Sequence, residues 1–254
     1  MKLNFRKTGD GDPLIIAHGL FGSADNWQTL AKKYAENHRV YLVDLRNHGH
    51  SPHSDDFNYD LMAEDLHELM LDEQIMFANF IGHSMGGKVI MRYAQRWPEF
   101  VEKLIVVDMG MKAYPPHHEK ILSALNEIND QHIGSRKQAD AILSKYVPER
   151  AIKQFLMKNL YWFEKGDLRW RMNVSVLENC MPAILSALPD KFIDADSLFI
   201  RGQLSNYILD EDFDYLTSHN RKSQFETINN AGHWLHAEAP EEFFLITTSF
   251  LEVF

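Results

Sequence analysis

Ser84 sits in the stretch Ile81-Gly82-His83-Ser84-Met85-Gly86-Gly87, which reads G-x-S-x-G. An apolar run, Met76 to Ile81, precedes it, and an amphipathic run, Lys88 to Trp97, follows it. That order of strand, sharp turn and helix describes a nucleophile elbow, in which the flanking glycines let neighbouring chain pack against a strained serine. The hydroxyl would stand at a helix N-terminus, where free N–H groups and the helix dipole favour developing negative charge. A serine hydroxyl is a weak nucleophile until a base takes its proton, and that base needs a third group to hold its tautomer.

Thirteen histidines are available as the base. His233 is singled out by Asn230-Ala231-Gly232-His233-Trp234, a glycine-containing turn between the last apolar strand pattern and the last helix. His236, at the start of that helix, is the nearest competitor and reads as a packing or surface residue. For the acid, an order of Ser, then Asp, then His is expected for such an elbow. The loop Arg201 to Tyr207 carries no carboxylate, whereas Asp108 closes the apolar strand ending at Val107. A carboxylate there is costly to bury unless paired, so Asp108 is the acid expected here, with Asp210 as the alternative. Acyl transfer also needs two main-chain donors for the oxyanion. Met85 N–H is one, and the loop His18-Gly19-Leu20-Phe21-Gly22-Ser23 offers the other at Leu20, with Phe21 its neighbour. His18 reads as a residue that shapes this loop.

The rest of the chain must position these groups. Short apolar runs alternate with helical patterns: strands at Pro13–Ala17 and Arg39–Val43, helices at 25–36 and 59–71, the elbow, then a strand at 103–107. Such alternation implies a mainly parallel sheet covered by helices on both faces. From about Met111 to Asp190 the pattern is helical (119–128, 137–146, 151–162) with no strong strand. Strands at 197–200 and 224–228 and helices at 210–218 and 240–253 complete the chain. A helical stretch that long between two strands reads as a lid over the carboxyl edge of the sheet. The expected division is therefore a core of residues 1–110 and 191–254 with a helical cap at 111–190.

Composition narrows the function class. The 254 residues are 45% hydrophobic and 24% charged, with 26 basic against 36 acidic side chains and a net charge of −10. That balance argues against a nucleic-acid surface and against adhesion to anionic membranes. The one cysteine, Cys180, excludes an internal disulfide framework. With neither an apolar leader nor a membrane-length apolar run, a cytoplasmic protein is expected. His48, His50 and His53 cluster after Asp44 but lack a convincing ligand set, so a structural turn is expected and no metal. His117 and His118 read as a solvated lid surface. Candidate substrate contacts are Phe21, Trp234, Tyr207 and Trp162, within a wider aromatic set that includes Tyr114, Tyr146 and Trp170. Lys112 and Lys120, with His117 and His118, could meet a phosphate-bearing leaving group.

Four motifs together, HGLFGS (18–23), DLRNHGHSP (44–52), GHSMGG (82–87) and AGHWLHAEAP (231–240), resemble the α/β-hydrolase superfamily over essentially the whole chain. Asn47 in RNHG, VVDMG (106–110) and LRWRMNV (168–174) make it most similar to the YbfF-type bacterial esterases and their mitochondrial abhydrolase relatives. The resemblance implies an eight-stranded core with a helical cap. It also implies cofactor-independent hydrolysis of carboxylic esters, extending to acyl thioesters, with a small-molecule acyl substrate. Ser205 stands where the superfamily commonly has its acid, which strengthens Asp108. Ser84 at the nucleophile position argues against dehalogenase or epoxide-hydrolase chemistry. A lyase or C–C bond hydrolase on the same scaffold and a noncatalytic ligand-binding protein are the rival readings.

Overall fold

Alternate residues of each apolar run face opposite ways, so a run that is apolar throughout needs cover on both faces. The computed structural model describes residues 1–252 and supplies that cover. Strands β1 (Phe5–Thr8), β2 (Asp12–Ala17), β3 (His38–Val43), β4 (Ala78–His83) and β5 (Val101–Val107) belong to the first half. Helices α1 (Gln28–Tyr34), α2 (Tyr59–Asp72) and α3 (Met85–Arg96) connect them. After β5 come α4 (Glu119–Asn129), α5 (Arg136–Tyr146), α6 (Arg150–Met157), strands β6 (Leu160–Glu164) and β7 (Asp167–Trp170), α7 (Val174–Asn179) and α8 (Met181–Leu185). The chain closes with β8 (Asp196–Gly202), α9 (Asp212–His219), β9 (Ser223–Ile228), α10 (Leu235–Glu238) and α11 (Pro240–Glu252). The closing helix read from the sequence includes Val253, which lies outside the described residues.

The main sheet has the order β1-β3-β2-β4-β5-β8-β9. All its pairings are parallel except β1 with β3. Leu14 and Ile16 of β2 join Trp27, Leu30 and Phe243 in the core against α1 and α11. Ile15 and Ala17 join Met62, Leu66, Val89 and Tyr93 in the core against α2 and α3. That second core continues without a break into the segment between β5 and β8, through Leu125, Leu143, Leu156 and Trp170.

Two expectations are corrected. The sheet has seven strands among the described residues, not eight. The segment before β1 runs to α2 and the β3 loop instead of extending the sheet, with Leu3 buried and Asn4 bonded through Nδ2 to Asp44 (2.8 Å). The segment at 111–190 is not wholly helical either, because β6 and β7 form an antiparallel hairpin there. Helix α6 stops at Met157, where Asn159 turns its side chain to Phe21 O (2.7 Å). The following Tyr161-Trp162-Phe163 run has the residue types that favour strands, and Gly166 turns the hairpin in a left-handed conformation at φ 84°.

Candidate active site

The sheet brings every singled-out loop to one edge, the carboxyl ends of β2, β3, β4, β5, β8 and β9. Ser84 follows β4 directly, at φ 54° and ψ −121°. A non-glycine residue in that region is strained and is retained only where its surroundings dictate it. Here the dictate is close packing: a Cβ on Gly86 would lie 2.4 Å from Ala17 O, and one on Gly82 2.4 Å from Gly86 O. Ser84 N–H donates to Val107 O at 3.0 Å, which ties the turn to the end of β5.

Asp108 leaves β5 with the same backbone sign, φ 50°, and its N–H donates to Ile200 O at 2.7 Å. Its carboxylate is fully buried and meets three donors. His233 Nδ1–H donates to Oδ2 at 2.7 Å, Ser205 Oγ–H donates to the same oxygen, and Gly202 N–H reaches Oδ1 at 3.3 Å. Burial pushes the Asp108 carboxyl up to about 7 against the pull of Ser205 and Gly202, and burial pushes the His233 imidazole down to about 3. Three converging donors favour the ionised carboxylate on Asp108 and, with it, a neutral His233 ring with its proton on Nδ1. Asp210 pairs instead with Arg201 at 2.6 Å, and its side chain is 85% exposed.

His233 is held from three sides. His83 Nε2–H donates to the His233 carbonyl at 2.8 Å. Tyr207 stacks on the imidazole with centroids 3.9 Å apart and planes at 15°, and Trp234 lies edge-on at 5.4 Å. His117 Nδ1–H donates to Pro115 O, so its Nε2 accepts the Tyr207 hydroxyl at 2.5 Å. His236 is buried and stacked on Trp27 at 4.3 Å.

The loop after β2 is shaped by two buried imidazoles. His18 Nδ1–H donates to Gly19 O (2.8 Å) while its Nε2 accepts Leu45 N–H (3.0 Å). His48 Nδ1–H donates to Arg46 O (2.9 Å) and its Nε2 accepts Phe21 N–H (3.3 Å). Gly22 N–H turns back onto Gly19 O at 2.9 Å. With the Phe21 and Gly22 donors engaged away from the serine, Leu20 is the loop residue that lines the crevice with Ser84 and Met85. His50 and His53 turn to Arg171, through its guanidinium (3.3 Å) and its carbonyl (2.9 Å).

The crevice at Ser84 has a volume of about 20 Å³ and is walled by Leu20, Met85, Met109, Tyr114, His118 and Leu185 among others. That is room for about one water-sized group. A groove of about 380 Å³ lies on the His233 side, lined by Pro115, His117, Leu204 and Asn206. Tyr114 and Tyr207 border both spaces.

Several expected contacts fall elsewhere. Trp162 is 52% exposed on the β6 strand and is absent from the lining of both spaces. Phe21 is buried with its ring edge against His118 (5.9 Å), one layer behind the crevice. Trp234 stays beside the site, against His233 and Phe155, whereas Tyr146 bonds Glu127 and Trp170 Nε1 bonds Leu125 O. Lys112 is paired with Asp212 at 2.5 Å. His118, expected at a solvated surface, lines the crevice instead, with its ring against Phe21. Sequence reasoning gave no role to His83, Ser205 or Asn159. His83 and Ser205 had a detectable signal in their adjacency to the elbow and the Arg201–Tyr207 loop.

A profile of the alpha/beta hydrolase family matches residues 14–244. "Esterase YbfF" of Escherichia coli (strain K12) is 36% identical over 247 residues, covering 95% of each chain. The "sn-1-specific diacylglycerol lipase ABHD11" of Mus musculus is 36% identical over 255 residues, 95% of this chain and 83% of the relative. Among solved structures, a "Marine microorganism esterase" superposes with a TM-score of 0.95 at 40% identity, covering 98% of this chain and 99% of that one. No helix among the described residues is long and apolar enough to cross a membrane.

The bonding of His18 and His48 leaves each a neutral ring, since a second proton would set N–H against N–H. Burial lowers His18 and carries His48 down to about 3, below the 6.5 of a free imidazole. The unfolded chain binds these protons below about pH 6.5 while the fold does not, so stability should decline as pH falls through that window and recover above it. Nitrogen-15 NMR should show both rings as Nδ1–H tautomers, with His48 still neutral at pH 5 and His18 titrating below the free-imidazole midpoint; a midpoint near 6.5 for either ring would contradict the assignment.

Proposed function

The chain belongs to the alpha/beta hydrolase family, and on that premise we propose that it is a serine esterase that cleaves carboxylic esters of small to medium acyl groups through an acyl-enzyme. The observation that carries the reading is the His233–Asp108 hydrogen bond of 2.7 Å at the same sheet edge as the strained Ser84. The relatives named as an esterase and a diacylglycerol lipase act on ester bonds, and the chain's likeness to them supports that bond as the one broken.

In this mechanism Ser84 Oγ attacks the ester carbonyl while His233 Nε2 takes its proton. Asp108 holds the resulting imidazolium. The N–H groups of Leu20 and Met85 receive the oxyanion, each such donor lowering the barrier by about 3 kcal/mol. The imidazolium returns its proton to the departing alkoxide, which leaves as the alcohol. Water then attacks the acyl-enzyme with His233 again as base, and Ser84 leaves with the proton restored. The narrow crevice would take the acyl group, and the groove bordered by Tyr207 and His117 would take the alcohol, because His233 delivers the leaving-group proton on that side. The segment between β5 and β8 would serve as the cap over both.

Ser84→Ala should abolish turnover and labelling by a fluorophosphonate while leaving the circular dichroism spectrum intact; labelling of the alanine variant would sink the nucleophile assignment. Asp108→Asn should lose roughly 10⁴-fold in kcat, since the ring would no longer be held with its proton on Nδ1. The same loss in Asp210→Asn instead would move the acid there. A panel of acyl esters and acyl thioesters of graded length would distinguish esterase from thioesterase chemistry. Because burial lowers the His233 imidazole and catalysis needs it neutral, the acidic limb of kcat/KM should fall below pH 6.5; a midpoint at or above 6.5 would show that burial does not govern the base.

A further inference from the structure

Lys88 lies one helical turn beyond Ser84 on α3, and its side chain is fully buried. An ammonium is expensive to bury unless its donors are satisfied. Here Nζ donates to two main-chain carbonyls, Lys112 O at 2.7 Å and Ser186 O at 2.5 Å. It also lies over the rings of Tyr114 (4.9 Å) and Tyr59 (5.7 Å), a favourable setting for a cation.

The two carbonyls have a topological meaning. Lys112 is on the segment that leaves β5 for the insertion, and Ser186 is on the segment that returns from α8. The segments run side by side as a neck: Tyr114 N–H donates to Leu185 O at 2.9 Å, and Leu188 N–H donates to Met111 O at 2.8 Å. Lys88 reaches from the serine's own helix into this neck and grips both of its strands. The Tyr59 hydroxyl adds a bond to Ile184 O at 2.6 Å. Tyr59, Tyr114, Ile184 and Leu185 are walls of the crevice at Ser84.

We propose that Lys88 is a specificity-determining positioning residue: by tying both ends of the insertion to the helix that carries Ser84, it fixes the far wall of the acyl crevice and favours short acyl chains. A longer chain must push the neck away from α3, which strips two carbonyl partners from the donors of a buried amine. The inference rests on the serine-esterase reading for its substrate consequence and on the neck geometry alone for its mechanical one.

The test compares wild type with Lys88→Met, which keeps an unbranched side chain and removes the ammonium. kcat and KM are measured for p-nitrophenyl acetate, butyrate and octanoate, and amide hydrogen exchange is followed in peptides spanning 111–114 and 183–188. Wild type should prefer acetate, and the variant should raise the octanoate-to-acetate ratio of kcat/KM by about tenfold or more. The rise should come mainly from a lower octanoate KM. Neck amides should exchange faster while β4 and β5 amides do not change. A uniform loss of activity with the ratio and the neck exchange unaltered would overturn the inference. So would a wild type that prefers octanoate. Failure of wild type to turn over any ester would count against the esterase reading and remove the chain-length claim with it, while unchanged neck exchange would separately overturn the tether. Should Lys88→Met fail to fold, Lys88→Gln, which keeps N–H donors on a shorter, uncharged side chain, is read by the same two measurements.

Discussion

The close approach of main chain to main chain around Ser84 is the constraint on which the site depends. Gly86 admits the carbonyls of Ala17 and His18, and Gly82 admits the carbonyl of Gly86, at distances no side chain would allow. This packing pins the ends of β2 and β4 together and drives Ser84 into its left-handed conformation. The strain is affordable because the neighbouring strands are buried on both faces and over-determine the turn. Asp108, displaced by one strand, repeats the same backbone sign at the end of β5. Two adjacent parallel strands thus end in the same kind of turn, which sends two functional side chains off the sheet edge.

Burial then governs the chemistry of the polar groups gathered there. His18, His48, His83, His233 and His236 are all pushed towards the neutral ring by loss of water. A neutral ring has one donor and one acceptor, so each can be given a definite orientation by its two partners. His18 and His48 spend both nitrogens on main chain and shape the loop at Leu20. His233 spends only Nδ1 on Asp108, which keeps Nε2 available for a proton in the proposed mechanism. The same residue type therefore serves as scaffold or as proposed base according to what its second nitrogen meets.

What was legible in the sequence follows from how local each cause is. The elbow at Ser84 is a local backbone demand, written in glycines two residues to either side. The turn at His233 and the apolar strand ending at Asp108 are also local, and the structure joins those two side chains directly. The hairpin at 160–170 was hidden because α6 ends through a long-range bond from Asn159 to Phe21 O, which no window of sequence contains. Trp162 looked like pocket lining by residue type alone, yet which face of the hairpin it occupies depends on that same misread element. His118 is polar by type and read as solvated, but tertiary packing makes it a wall of the crevice. Strand number was inferred from resemblance, and the path of residues 1–4 decided it otherwise.

The insertion is bound to the core by more than the neck. Asn159 Nδ2 donates to Phe21 O at 2.7 Å, so it holds the loop that presents Leu20. Asn173 N–H donates to Asn47 O at 2.9 Å, and His53 bonds Arg171 O at 2.9 Å, which joins the segment after β7 to the loop after β3. Attachments at the loop after β2 and the loop after β3, together with the neck, resist a hinge motion, because a hinge needs one axis and these lie apart. Most of their acceptors are main-chain carbonyls, whose positions are set by the elements they end. The side chains that border both spaces are Tyr114 and Tyr207. Tyr207 stands at their junction: it stacks on His233, bonds an exposed His117, and borders both the groove and the crevice.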